Sequence, residues 1–544
     1  MPKAADDRLS IYIFSKLIGL IFEPLLIFTL YMKKILAIIF VSLPVLLLAQ
    51  KKNKTTKTTD KISSSITAAD LKKHLYVIAS AEMEGRDTPS SGQDKAANYI
   101  EEHFKSLGLK PGNGDSYRQY YPLYRDSVIG SSFKVNGVSF EMFKDFFPGN
   151  NYSAEIPFSE VVFAGYGIVD DKNDAYKDLD VRGKAVVILE GAPADYKPAQ
   201  QGFQNPSGNN GKITAASKKG AAAVLIVSKN FPRRSNAAQS QWNLNGYRAT
   251  VNPHTFYISE NAAASIMGED GKGIFDKVKN NATFAKSYKA DIDLSFQKTT
   301  ITGRASNVMG FLEGTDKKDE YVVITAHYDH VGKRDTTIYY GADDDGSGTV
   351  SVLEIAEAFA KAKAEGKGPR RSILFMTVSG EEHGLWGSAY YTSHPVYPLN
   401  KTSVNLNIDM VGRIGNEYMK DKDSANYVYV IGDNKLSSDL TPITEAVNGA
   451  YSKLKLDRKY NDPNDPNRFY YRSDHYNFAE KGVPIIFYFN GVHPDYHRPT
   501  DTPDKINYGL MEKRAKLVYN TALEMANRDE MLKRDMSLDP QRAF

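Results

Sequence analysis

The chain has 544 residues, is 41% hydrophobic and 25% charged, carries a net charge of +4 at pH 7 and contains no cysteine. That length exceeds what one ordinary core supports, so two or more domains are expected. The small charge gives no reason to propose nucleic acid or an anionic membrane as partner, and the missing cysteines exclude thiol nucleophiles, Cys-ligated zinc and disulfides together.

Residues 1–50 read as an apolar leader. Its first stretch, Ile11 to Tyr31, has the length of a transmembrane helix but is interrupted by Lys16, Glu23 and Pro24. The second has the layout of a secretory signal: Lys33-Lys34, an apolar run from Ile35 to Leu48, then Ala49 at a cleavage position. Met32 is therefore read as the true start and the body of the chain as exported, to the periplasm, the cell surface or beyond. Use of Met1 would instead leave an uncleaved N-terminal anchor, the only route to a membrane that the sequence offers. Residues 51–65, rich in Lys, Thr and Ser, read as a linker.

From Thr67, a plausible N-cap, Leu71, Leu75 and Ile78 share one helical face; Gln93 to Leu107 repeats the pattern until Gly108 stops it. Tyr117 to Tyr124 alternates like a strand. No catalytic residue is assigned to this lead segment. Residues 151–297 read as a compact α/β unit: strand then turn over Val161–Gly167, a strand entered by a turn over Val181–Leu189, a buried strand over Gly220–Val227 and another near Thr255–Ile258, with a short helix at Ile213–Lys219. Gly208-Asn-Asn-Gly211-Lys212 has the wrong glycine spacing for a phosphate loop. The unit holds no cluster of His, Glu and Asp, and it resembles the protease-associated domain, a module inserted in many exported peptidases; it is taken as non-catalytic.

In the second half, four apolar runs each end beside a candidate metal-site residue. Tyr321–Ala326 ends at His327, Ser372–Val378 at Ser379-Gly380-Glu381-Glu382, Ser403–Ile408 at Asp409, and Val483–Phe489 leads to His493 and His497. A helix over Thr349–Ala364 separates the first two. Ligands of open α/β sheets collect at the carboxyl ends of strands, and His with carboxylates suits a zinc-type cation.

These motifs resemble the di-zinc aminopeptidase family, metallopeptidase family 28: His327-Tyr-Asp329, Gly341-Ala-Asp-Asp344-Asp-Gly-Ser-Gly348, Gly380-Glu381-Glu382-His-Gly384, Asn407-Ile-Asp409-Met, Arg472-Ser-Asp474 and Tyr496-His497. The resemblance implies a three-layer α/β sandwich with a mostly parallel central sheet, the catalytic domain being residues 66–150 and 298–527, the inserted unit 151–297, and a polar tail 528–544. It further implies two Zn2+ ions. His327 and Asp409 would hold one, Glu382 and His497 the other, with Asp344 bridging them. Asp329 would hydrogen-bond His327 and fix its tautomer. Glu381 would be the general base, Tyr496 a hydrogen-bond donor to the oxyanion, and Arg472 a substrate contact. His330, His383, His394, His475 and His493 are read as loop or core histidines, with His475 and His493 the two candidates for lining the pocket. Asp343 and Asp345 are read as holding the turn through hydrogen bonds to backbone.

The expected activity is therefore removal of N-terminal residues from peptide substrates. A carboxypeptidase or dipeptidase on the same site, a ligand-depleted scaffold or a glutaminyl cyclase on this fold are the alternatives; a serine hydrolase is disfavoured because no Gly-x-Ser-x-Gly elbow occurs. Side-chain preference, oligomeric state and native metal identity have no counterpart in the sequence pattern.

Overall fold

The structure, a computed structural model, describes residues 62–149, 152–198, 205–233, 241–246 and 252–538. The expected leader lies outside these residues, and no described helix is long and apolar enough to cross a membrane. The chain divides into two compact units, one formed by residues 1–120 and 306–544, the other by Tyr121–Ala305. The second unit thus starts about thirty residues earlier than the insertion expected over 151–297, because the strand Arg118–Val135 runs on past the alternating Tyr117–Tyr124 stretch.

In the first unit, Thr67 accepts a hydrogen bond from the Asp70 amide and so caps helix α1, Ala68–Ile78, which buries Leu71, Leu75 and Ile78. Helix α2, Ser91–Ser106, follows. The main further elements are β1 (Ser287–Leu312, of which residues 308–312 pair within this unit), β2 (Lys317–His327), α3 (Gly348–Ala364), β3 (Arg371–Val378), α4 (Trp386–Ser393), β4 (Thr402–Ile408), β5 (Tyr427–Ile431), α5 (Leu440–Val447), β6 (Lys455–Asp457), β7 (Ile485–Phe489) and α6 (Tyr508–Asn527), with a short helix over His475–Glu480. Their order across the sheet is β6-β5-β7-β4-β2-β3-β1. The central four, β7, β4, β2 and β3, are parallel, and β5 and β1 run antiparallel beside them.

Alternate residues of these strands enter different cores, as a period of two requires. Val322, Ile324, Ile373, Phe375, Leu406 and Tyr488 pack with helices α1, α2, α3 and α6. Val323, Leu374, Met376, Phe487 and Phe489 pack on the opposite face with Tyr391, Phe478 and Tyr429. A sheet buried on both faces explains the near-continuous apolar runs of the sequence. The described part of the tail also joins this unit: Leu532 is buried and its amide donates to Ser403 Oγ.

In the second unit, Ala154–Phe163, Ala185–Leu189, Ala223–Val227 and His254–Ile258 form consecutive parallel pairs. Phe146–Pro148 closes one side antiparallel, and residues 287–296 the other. Helix Asn209–Lys218 buries Lys212, whose ammonium donates to the carbonyls of Leu189 (2.8 Å) and Gly191. The Gly208–Lys212 stretch therefore anchors its own helix rather than facing a ligand.

Burial lowers the Lys212 pKa to about 8, against the smaller opposing pull of Glu190. A base whose folded pKa lies below its unfolded value of about 10.4 leaves the unfolded chain holding more protons in that interval. Stability of this unit should accordingly rise between pH 8 and about 10.4, by up to about 3 kcal/mol from this group. Chemical unfolding of Lys212→Met compared with the unaltered protein measures it: the difference between the two should shrink over that window, and a constant difference would contradict the reading.

Candidate metal centre

The four parallel strands end along one edge, and each delivers a polar residue there. β2 ends on His327; β3 runs through Ser379-Gly380 into Glu381 and Glu382; β4 is followed by Asp409; beyond β7 the chain turns back to Tyr496 and His497. The loop between β2 and α3 supplies the acid cluster at its tight turn, residues 342–347, all buried.

Two groups of side chains there could each hold a metal ion: His327 with Glu381 and Asp409, and His330 with Asp344 and Glu382. Asp344 spans both. Its Oδ1 lies 3.3 Å from His327 Nε2 and its Oδ2 lies 2.9 Å from His497 Nε2. His327 Nε2 is 3.7 Å from Asp409 Oδ1, and His497 Nε2 is 3.1 Å from Glu382 Oε2. Tetrahedral zinc with bonds near 2.0–2.1 Å would separate its donor atoms by about 3.3 Å, so the spacing suits such an ion. His327 Nε2, Asp344 Oδ2 and Glu382 Oε1 are buried and make no hydrogen bond, and each faces another member of the cluster: Asp344 Oδ1, His497 Nε2 and His330 Nδ1. Buried polar atoms are ordinarily satisfied, and a shared cation would satisfy these.

The neighbours of the cluster fix its geometry. Asp343 Oδ1 accepts from the Gly412 amide (2.7 Å), and its Oδ2 accepts from Asn490 Nδ2 (3.0 Å). Asp345 Oδ1 accepts from the amides of Gly348 (2.8 Å) and Met410 (3.0 Å), its Oδ2 from that of His327 (3.2 Å). These two acids therefore hold the turn through backbone contacts and also staple it to the ends of β2, β4 and β7. Beneath Asp409, a chain of hydrogen bonds runs from Thr325 to Asn407 to Ser473 and ends with Ser473 Oγ donating to Asp409 Oδ2 at 2.6 Å.

The Asp329 carboxylate sits 3.7 Å from His327 Nδ1, too far for the expected hydrogen bond. Its backbone carbonyl is closer, at 3.1 Å, and its Oδ1 instead accepts from the Glu381 amide at 3.2 Å. Asp329 thus orients His327 with its main chain and positions Glu381 with its side chain. Tyr496 stacks on His497 with ring centroids 3.9 Å apart, and its hydroxyl accepts from the exposed Arg472 at 3.3 Å. A small cavity opens beside Asp344, Glu381 and Asp409 and is walled by Phe469, Phe487, Phe489 and Tyr496, with Arg472 on its rim.

Electrostatics follow the crowding of charge. Burial pushes Glu381 well above the usual carboxylate range, and Glu382 and Asp409 push it further against the pull of His327. Burial opposes ionisation of Asp344 too, but the adjacent imidazoles of His327 and His497 hold it well below its ordinary value. The reverse balance operates at His497: burial favours the neutral ring, yet Asp344 and Glu382 raise it to about 10. Asp474, buried beneath Ser388, is pushed up to about 7.

Three residues of the centre had no signal in the spacing of motifs. Arg86, in the lead segment, is fully buried and donates to the carbonyls of Ile78, Tyr328, Tyr340 and Gly341 at 2.7–2.8 Å, tying the lead segment to both ends of the metal-site loop. Asp501 Oδ2 accepts from the amides of Asp343 (2.9 Å) and Asp344 (3.2 Å). His330, read as a loop histidine, is fully buried with Nδ1 2.9 Å from Glu382 Oε1. His493 faces Asp343 at 3.1 Å and His475 bonds the Tyr470 carbonyl, so neither lines the cavity.

Residues 307–522 match Peptidase family M28. The chain is similar to aminopeptidase YwaD of Bacillus subtilis (strain 168), 24% identical over 359 residues, covering 64% of each protein. It is also similar to a probable leucine aminopeptidase of Arthroderma otae, 32% identical over 216 residues, covering 39% of this chain and 55% of that one. The chain thus spans somewhat more than half the length of these two relatives. Among solved structures, the aminopeptidase from Aneurinibacillus sp. strain AM-1 shares the fold, with a TM-score of 0.50 at 20% identity over 89% of this chain and 100% of that one. The segment that matches this family, residues 307–522, carries the strand ends and the acid cluster described above.

Because Asp344 touches both groups, Asp344→Ala should lower zinc affinity at both, by at least about 10-fold, a loss that even an outer partner of a metal site can cause. Metal analysis after dialysis against limiting zinc measures it, and unchanged stoichiometry and affinity would argue against a bridging role.

Proposed function

We propose that the chain is an exported zinc aminopeptidase that binds two Zn2+ ions, one on His327 and Asp409, the other on Glu382 and His497, with Asp344 shared between them. The observation that carries this reading is the convergence of buried His and carboxylate atoms, unsatisfied by hydrogen bonds, beside a cavity walled by aromatic side chains. Export is supported by the lysine-flanked apolar stretch beginning at Met32. We take residues 121–305 as the protease-associated module; the run of parallel strands free of clustered His and acid residues supports that assignment.

When bound, zinc supplies a water acidified towards about pKa 7 and polarises the scissile carbonyl. The rest of the chemistry falls to side chains of this chain. Glu381 takes a proton from the attacking water and delivers it to the leaving amine, a contribution of roughly 10²–10⁴-fold. Its raised proton affinity lies in the direction a general base requires, and the Asp329 carboxylate holds its backbone in place. Tyr496 keeps its proton, because burial and then Asp344 raise its pKa, so its hydroxyl remains a donor for the developing oxyanion. Phe469, Phe487, Phe489, Met410 and Val492 form the wall that takes an apolar N-terminal side chain.

Arg472 on the cavity rim gives the carboxypeptidase reading its one specific support, since a substrate's terminal carboxylate needs a cation. Unblocked, N-acetylated and C-amidated peptides with apolar ends separate the two. Cleavage of the unblocked and amidated peptides is expected; hydrolysis of the acetylated one alone would overturn the aminopeptidase assignment.

Glu381 also stands within ligand distance of His327 and Asp409, so its role needs a test that distinguishes base from ligand. Glu381→Gln should lower kcat by at least about 10²-fold while about two zinc ions stay bound. Retained turnover would remove Glu381 as the base, and loss of an ion would make it a ligand.

A further inference from the structure

The imidazole of His330 is placed among buried carboxylates, where a cation ligand would be. The residue is fully buried, and neither ring nitrogen makes a hydrogen bond. Its Nδ1 lies 2.9 Å from Glu382 Oε1 and 3.8 Å from Asp344 Oδ2. Glu382 Oε1 is itself buried without a hydrogen bond. His497 reaches the same two carboxylates through different geometry, facing Glu382 Oε2, and is 37% exposed. Glu382 is therefore flanked by two imidazoles, one from the protein interior and one from the solvent side, with ring centroids 5.6 Å apart at 75°.

The backbone is shaped to admit this ring. Gly341 has φ +55°, and a Cβ there would fall 2.4 Å from His330 Cγ and 2.4 Å from the Asp344 carbonyl oxygen. Only glycine leaves that space and takes that conformation without strain. The His330 amide in turn points at the Arg86 carbonyl, and Arg86 is bound to Tyr328 and Gly341 on either side of the ring. His330 Nδ1 faces the Glu382 and Asp344 carboxylates, while Nε2 is buried without a hydrogen bond, which is rare for a buried polar atom.

We propose that His330 is a third imidazole ligand of the centre, binding through Nδ1 the cation that Glu382, His497 and Asp344 also hold. This rests on the two-cation reading above and refines it. With His330 present, that subsite has four protein donors, the number that fills a tetrahedral zinc and characterises closed sites. The His327–Asp409 subsite has fewer and keeps the open position. The two ions are then unequal: one is anchored by the chain, the other faces the substrate.

Zinc K-edge absorption of the full chain loaded with two equivalents of zinc counts the imidazoles directly. Three rings over two ions, about 1.5 per ion, are expected, against about 1 per ion if only His327 and His497 bind. In His330→Gln the count should fall to about 1 per ion. The tighter of two zinc-binding steps, read by competition with a chromophoric chelator, should weaken at least the 10–100-fold that loss of an outer partner costs. His330→Ala serves as a second variant should the first fold poorly, and the imidazole count of the unaltered protein needs no variant at all. A count of about 1 per ion in the unaltered protein overturns the proposal. So does a variant with weakened zinc but an unchanged imidazole count, which would make His330 a positioning residue for Glu382. A chain that takes up no zinc would overturn the metal reading itself, a result distinct from either.

Discussion

The structure is governed by the amount of negative charge buried along one edge of a sheet. Asp329, Asp343, Asp344, Asp345, Asp409, Asp474 and Asp501 are each less than a tenth exposed, and Glu381 and Glu382 stand beside them. Taking carboxylates out of water is costly unless each is paired or hydrogen-bonded. Asp343, Asp345 and Asp501 meet that requirement through backbone amides, which also makes them the cross-links between strand ends. Asp344, Glu381 and Glu382 do not meet it that way, and Asp409 does so at one oxygen, through Ser473. Their neighbours are imidazoles whose nitrogens are better suited to share a cation than to neutralise so many acids.

Position and charge are coupled by topology. Four parallel strands end at the same edge, so residues separated by about 170 positions, from His327 to His497, arrive within ion-pair distance of Asp344. The buried guanidinium of Arg86 completes the frame from a different part of the chain. It spends its donors on the carbonyls of two loop ends rather than on any carboxylate, so it fixes the loop without neutralising the acids of the cluster.

Much of this was legible in the sequence for definite reasons. The four central strands are buried on both faces, so their apolar runs stand out, and the chemistry-bearing residues follow each run within a few positions. The capped helix at Thr67 and the strands of the second unit announced themselves through capping and turn residues. What escaped has equally definite reasons. Arg86 acts by donating to main-chain carbonyls, and Asp501 by accepting from main-chain amides; such bonds leave no pairing pattern to read. His330 stood three residues from His327 and was passed over because a histidine in a loop is usually satisfied locally, and only its environment distinguishes it. The distance between Asp329 and His327 also needed coordinates, since spacing in the chain does not tell a carboxylate contact from a carbonyl one. The second unit starts at Tyr121, within the long strand Arg118–Val135, where no turn or composition shift in the sequence marks a boundary.

The central claim is that the acid-rich edge is built to be completed by cations. Thermal unfolding of the full chain, followed at fixed pH in excess chelator and then at increasing free zinc, tests it most directly. Zinc held only by the folded state should raise the unfolding midpoint steadily with its free concentration. A midpoint that stays the same from chelator to saturating zinc would contradict the account.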